Sequence, residues 1–183
     1  MAGRQTLIRT LHDAGLAAWF GGSLFGAVGL NGAAAAASDP SERTKIASAG
    51  WGKWAPVNAV ALAAHTVGGI GLIAGNAGRV ATQKGAGKNT VIKSVITLVA
   101  MGVTGYSGLQ GVKLGKNSPT PAAGATEPSA QTPQEAAQAQ KRLKVLQWTI
   151  PALTGVLLVM TVQQGEQQKP SQIAKGLIDR VRS

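Results

Sequence analysis

The stretch WAPVNAVALAAHTVGGIGLIAGNAG, residues 54–78, decides how the rest of the chain is read. It holds 25 residues and no Asp, Glu, Lys or Arg. A helix rises about 1.5 Å per residue, so roughly 20 residues cross the ~30 Å hydrocarbon core of a bilayer. Three further windows share this character: Ala14–Ser38 with 25 residues, Ser94–Val112 with 19 and Val145–Gly165 with 21. A soluble helix keeps a charged stripe along its length, and here charge is gathered into the gaps. The windows do not alternate apolar and polar residues as barrel strands do. Helices also satisfy their own backbone in lipid.

The expected fold is all-α: a polytopic, four-transmembrane-helix bundle over 1–165, with spans at about 12–37, 54–76, 92–113 and 145–164. The Pro/Ala-rich stretch 116–132 reads as a flexible loop. Thr132-Pro133-Gln134-Glu135 reads as a helix start leading toward the fourth span. Pro151 lies inside that span and is expected to kink it or mark its effective start. Residues 166–183 form a basic tail in which Ile173, Leu177, Ile178 and Val181 share one helical face, as in a surface-lying amphipathic helix.

The net charge of +11 would suggest nucleic acid in a soluble protein. With two Phe and one Tyr, however, no aromatic residues interleave the basic stretches for base stacking. Basic residues flanking apolar spans instead meet headgroups and set topology. The expected partners are therefore the lipid bilayer and other membrane proteins or further copies of this chain, with no nucleic acid. Cysteine is absent, which excludes disulfides and thiolate chemistry. The Ala, Gly and Val richness suits a bacterial chain, hence a cell (inner) membrane location.

Four spans place both termini on one side. That side, with the second loop, carries ten basic residues: Arg4, Arg9, Arg79, Lys84, Lys88, Lys93, Lys169, Lys175, Arg180 and Arg182. The other side carries eight, which favours cytoplasmic termini. Cleavage of the first span as a signal peptide is the alternative, with Ala33–Ser38 as the small-residue site. The apolar run exceeds the usual signal length.

Trp51, Trp54 and Trp148 fall at one expected interface, where Trp favours the headgroup depth. Gly22 with Gly26, and Gly71 with Gly75, follow the small-xxx-small pattern of close helix packing. Two histidines stand out. His65 lies 11 residues past Trp54, near the midplane. An ionisable residue there is either a functional group or a neutral ring bonded to a nearby hydroxyl such as Ser23, Thr66, Thr104 or Thr154. His12 is expected at the opposite edge, more than ~10 Å away in depth, so that one chain does not use both on one ligand. Asn31 and Asn58 are expected to bond each other.

The segment Leu11-His12-Asp-Ala-Gly-Leu-Ala-Ala-Trp19-Phe-Gly21-Gly22 resembles the opening helix of copper-resistance-D-like membrane proteins. The resemblance covers a dozen residues and implies copper handling with His12 as a candidate metal ligand. The chain departs from it in having no Cys, three Met and no second histidine expected at matching depth. Copper binding is accordingly not carried over, and no cofactor is expected. Without a nucleophile, paired-carboxylate or phosphate-loop motif, the chain is read as a non-enzymatic membrane component or subunit. The alternative is a small transporter or a redox- or haem-linked protein using His65.

Overall fold

The computed structural model describes residues 2–77 and 86–167. Most of the basic loop, at 78–85, and the expected amphipathic tail from residue 168 onward lie outside the described residues. Four long helical segments make up most of the described residues. The first, α1, runs as Ala2–Phe25, passes through a π-helical segment, Gly26–Leu30, and ends as Asn31–Ala35. It is followed by α2, Pro40–Gly75, α3, Ala86–Lys116, and α4, Gln134–Gln167. The described residues contain no strand, only one isolated bridge between Ala122 and Pro128.

Three of these helices, α2, α3 and α4, are long and apolar enough to cross a membrane. Large apolar side chains also point outward: Val60, Val67 and Ile70 on α2, Leu98 and Leu109 on α3, Val159 and Val162 on α4. A water-soluble bundle would bury them. The chain is a helical, multi-pass membrane protein. The first helix fails the same test because Arg4, Gln5, Thr6, Arg9, Thr10, His12 and Asp13 fill its opening turns and the π segment interrupts it.

The helices begin and end well beyond the expected spans. Residues 39–53, which lie between the expected first and second spans, are the first turns of α2 and their cap. Asp39 accepts the Ser41 N–H, Pro40 occupies the first turn and Glu42 faces the positive end of the helix, a set of start signals that outweighs local polarity. Pro151 does not mark a start; α4 begins at Gln134 and continues through it.

The α1–α2 pair sets the architecture. The two helices run antiparallel, and bulky groups on one meet glycines on the other. Trp51 covers Gly26, Trp54 covers Gly22, Ile8 covers Gly71 and Gln5 covers Gly75. Between them the backbones themselves approach. A Cβ on Gly15 would sit 2.5 Å from the Ala61 carbonyl oxygen, and one on Gly68 would strike the His12 backbone. The remaining helices close over this pair, with Leu16, Trp19, Ala100, Ile150 and Leu157 forming the shared core.

The stretch 117–133 is folded onto the helix ends rather than extended as a linker. Thr44 Oγ1 donates to the Thr120 carbonyl at 2.9 Å and accepts from its N–H at 3.0 Å. Arg43 donates to the Ala122 and Ala123 carbonyls, and Gln140 to those of Gly124 and Ala125. The Thr132 hydroxyl bonds the Pro121 carbonyl at 2.6 Å instead of serving α4 as a cap. Composition read this segment as a spacer because the α2 side chains that hold it are 76 to 80 positions away in sequence.

Glycines at the close approach are expected to be intolerant and those on the outer face of α3 tolerant. Gly68→Ala should cost about 1–3 kcal/mol by overpacking. Gly105→Ala, with open space around it, should stay within about 1 kcal/mol of the parent. Unfolding in detergent micelles checks both.

Candidate functional site

His12 is carried by α1 and His65 by α2, and the structure brings them together. Their ring centroids are 4.3 Å apart with planes tilted by 38°. Both residues are buried, at 4% and 2% exposure. This overturns the expected difference in depth. That expectation started the first span at its first uncharged residues and so put His12 at the membrane edge. In the structure α1 begins ten residues before His12. Because Trp54 lies over Gly22, eleven residues further along α2 lead to the same level as Gly15 and His12.

Each ring is held through Nδ1. His65 Nδ1 donates to the His12 backbone carbonyl at 3.0 Å, since a carbonyl can only accept. His12 Nδ1 lies 2.7 Å from Asp13 Oδ1 and donates to that carboxylate. The bond to His65 exists because Gly15 and Gly68 let the helix backbones meet. Among the described residues no hydrogen bond engages either Nε2, so each oriented imidazole keeps its second nitrogen.

The surroundings are polar on one side and closed on the other. Trp19, fully buried, lies 6.1 Å from the His65 ring and donates to Thr104 Oγ1 at 3.1 Å. Thr66, Thr104 and Thr154 each return their hydroxyl to a carbonyl of their own helix. Ser23 bonds the Phe20 carbonyl. None of these four is the partner of His65. On α3, Lys93 donates to Thr161 Oγ1 of α4 at 2.7 Å. Asp13 also lines a cleft of about 640 Å³ with Gln5, Thr6, Arg9, Thr10, Ala14 and Asn76. The cleft lies where α1 begins and α2 ends, with Asp13 as its link to His12.

The other selected residues have structural placements. Trp51 and Trp54 lie over glycines of α1 rather than standing free, and Trp51 Nε1 donates to Asn31 Oδ1 at 2.9 Å. Trp148, 51% exposed, stands on the outer surface of α4. Asn31 does not bond Asn58. It donates to Gln147 Oε1 at 2.7 Å, and Gln147 in turn donates to Thr126. Asn58 Oδ1 is buried without a partner. The role of Trp19 was missed; its place one turn beyond Gly15, on the face shared with His12 and Leu16, was the available signal.

No family model, curated protein or solved structure matches the chain. The site therefore stands on its own geometry. It has only two adjacent nitrogen ligands, and the described residues contain no group of three or more His, Cys, Asp or Glu able to hold a metal. A haem cannot lie between the rings of one chain, because rings in stacking contact leave no room for a porphyrin.

Both histidines should carry their ring proton on Nδ1. Nitrogen-15 NMR of the imidazoles in bilayers checks this. Asp13→Ala should release His12 into a tautomer mixture while leaving His65 unchanged, because its acceptor is a backbone carbonyl.

Proposed function

We propose that this chain is a non-enzymatic, four-span protein of a bacterial inner membrane, with both termini cytoplasmic, that passes a small cation by way of the His12–His65 pair. The observation carrying this reading is the pair itself. Two ionisable rings are buried between helices, where apolar side chains would be cheaper, each is oriented by its own acceptor, and each keeps a free nitrogen. A polar cleft reaches Asp13 from one end of the bundle. The alternative, a redox- or haem-linked protein using His65, is less favoured, because rings 4.3 Å apart leave no room for a porphyrin between them.

The fourth span in this proposal is α1. Its outward positions Ala14, Ala17, Ala18, Gly21, Leu24, Phe25 and Val28 are exposed and apolar or small. Its polar residues instead gather around the cleft and the histidines. A helix with one polar face turned inward averages poorly yet presents lipid with an acceptable surface. The second and fourth spans would put Trp148 and the folded cap near the opposite headgroups. Lipid and other membrane proteins would be its partners.

Topology reporters separate this from a three-span arrangement. Fusions in 36–39 and 117–133 should report the external side; fusions at both termini and in 79–85 should report the cytoplasm. Termini on opposite sides would overturn the four-span reading. For passage, proteoliposomes enclosing either a proton-sensitive or a divalent-metal-sensitive dye should fill faster with the parent than with the His12→Gln/His65→Gln variant. Equal rates with both dyes would dismiss transport through the pair.

A further inference from the structure

We infer that two copies of this chain pair through the outward face of α1, with Arg9 of each copy bound to Asp13 of the other. The inference rests on α1 being a membrane span, and it names what meets the polar part of that span. Gln5 covers Gly75, Ile8 covers Gly71 and the His12 backbone meets Gly68, so Arg9, Thr10 and Asp13 run beside residues 67–71 of α2. At that level α2 turns Val67 and Ile70 outward, within its uncharged window. On α1 the same level carries exposed Arg9 and Thr10 and a part-exposed Asp13. Hydrocarbon suits the α2 side chains and cannot solvate those of α1.

The chemistry of the face selects its partner. An anionic headgroup would be repelled by Asp13 and a cationic one by Arg9. A surface with opposite charges one helical turn apart is instead complementary to a copy of itself across a two-fold axis. Copies inserted the same way share an axis along the membrane normal. The four-residue offset from Arg9 to Asp13 is then about 6 Å of rise, within the reach of an arginine side chain. Both groups have capacity beyond their contacts inside the chain: a guanidinium has five donors, and a carboxylate that spends Oδ1 on His12 still has Oδ2. Deeper in the span the same face continues as Ala14, Ala17 and Gly21, all exposed, and a Cβ on Gly21 would meet nothing within 4 Å. Small residues there let two helices approach closely, as α1 and α2 already do. The second copy thereby contributes to the histidine pair, since Asp13, which orients His12, is held from both sides.

The chain has no cysteine, so single cysteines introduced into it report the pairing directly. A disulfide needs Cα atoms within about 7 Å. Under mild oxidation in native membranes, Thr10→Cys, Ala14→Cys and Ala17→Cys should give linked dimers, while Val60→Cys on α2 and Leu98→Cys on α3 give none. No linkage on α1, or equal linkage on all three helices, would overturn the inference. Arg9→Asp and Asp13→Arg should each weaken self-association at least about tenfold. Mixed together, these two variants should recover association as a heterodimer, a result that pairing within one helix cannot give. No recovery, with both variants inserted and as helical as the parent by circular dichroism, would also overturn it. Reporters that place four spans while the α1 cysteines stay unlinked would remove this inference alone. Termini on opposite sides of the membrane would remove the span reading and this inference with it.

Discussion

Everything in the site depends on how closely α1 and α2 approach. Gly15 faces the Ala61 carbonyl and the His65 backbone, and Gly68 faces the backbone of His12. Without side chains at those positions the two helix backbones come near enough for His65 to reach a carbonyl of the neighbouring helix. That carbonyl has a second lone pair available beyond its own helical bond. In a bilayer, apolar area gives little drive for one helix to prefer another over lipid, so close contact and interhelical hydrogen bonds carry the association. The glycine approach and the histidine bond support one another. Separating the backbones would lose the bond, and losing the bond would leave a buried polar ring without its acceptor.

The two ends of the bundle differ in kind. At the end where α2 begins, the stretch 117–133 is held by Arg43, Thr44 and Gln140, whose side chains satisfy its backbone. The Trp51–Asn31–Gln147–Thr126 series ties α2, α1 and α4 to the same cap. Irregular backbone at membrane depth is tolerated only when it is satisfied in this way. At the other end the polar residues of α1 and Asn76 line an open cleft. One end of the bundle is thus capped by satisfied irregular backbone, and the other carries an open polar cleft.

Charge-free windows were enough to find the apolar part of each long helix, because lipid imposes a length and excludes charge. They did not show where the helices begin. The Asp39-Pro40-Ser41-Glu42 start was present in the sequence, but its polarity made it look like a loop. The relation between His12 and His65 was less accessible still. Hydropathy places a residue along its own helix and says nothing of how two helices are offset. That offset is set by which bulky group meets which glycine, Trp54 with Gly22 and Ile8 with Gly71. The small-residue positions were visible; their pairing partners were not, because nearly any Trp or Ile could have met them. The Asn31–Gln147 bond and the α2 side chains that hold the 117–133 stretch were hidden for the same reason, joining residues far apart in the chain.

The polar inventory of the interior gives the histidines their particular weight. A hydroxyl in lipid solves its problem alone, by bonding a carbonyl one turn back, as Thr66, Thr104, Thr154 and Thr161 do. Trp19 has one N–H and gives it to Thr104. Lys93 reaches Thr161. The buried polar atoms without partners among the described residues are oxygens of Ser48, Asn58 and Gln140, scattered over two helices. At His12 and His65, by contrast, two ionisable rings lie 4.3 Å apart, each already held through Nδ1 by a partner on the neighbouring backbone or carboxylate. Holding both rings fixed removes much of the entropic cost of using them together. Two preorganised imidazoles in contact set this pair apart from the self-satisfied hydroxyls around it.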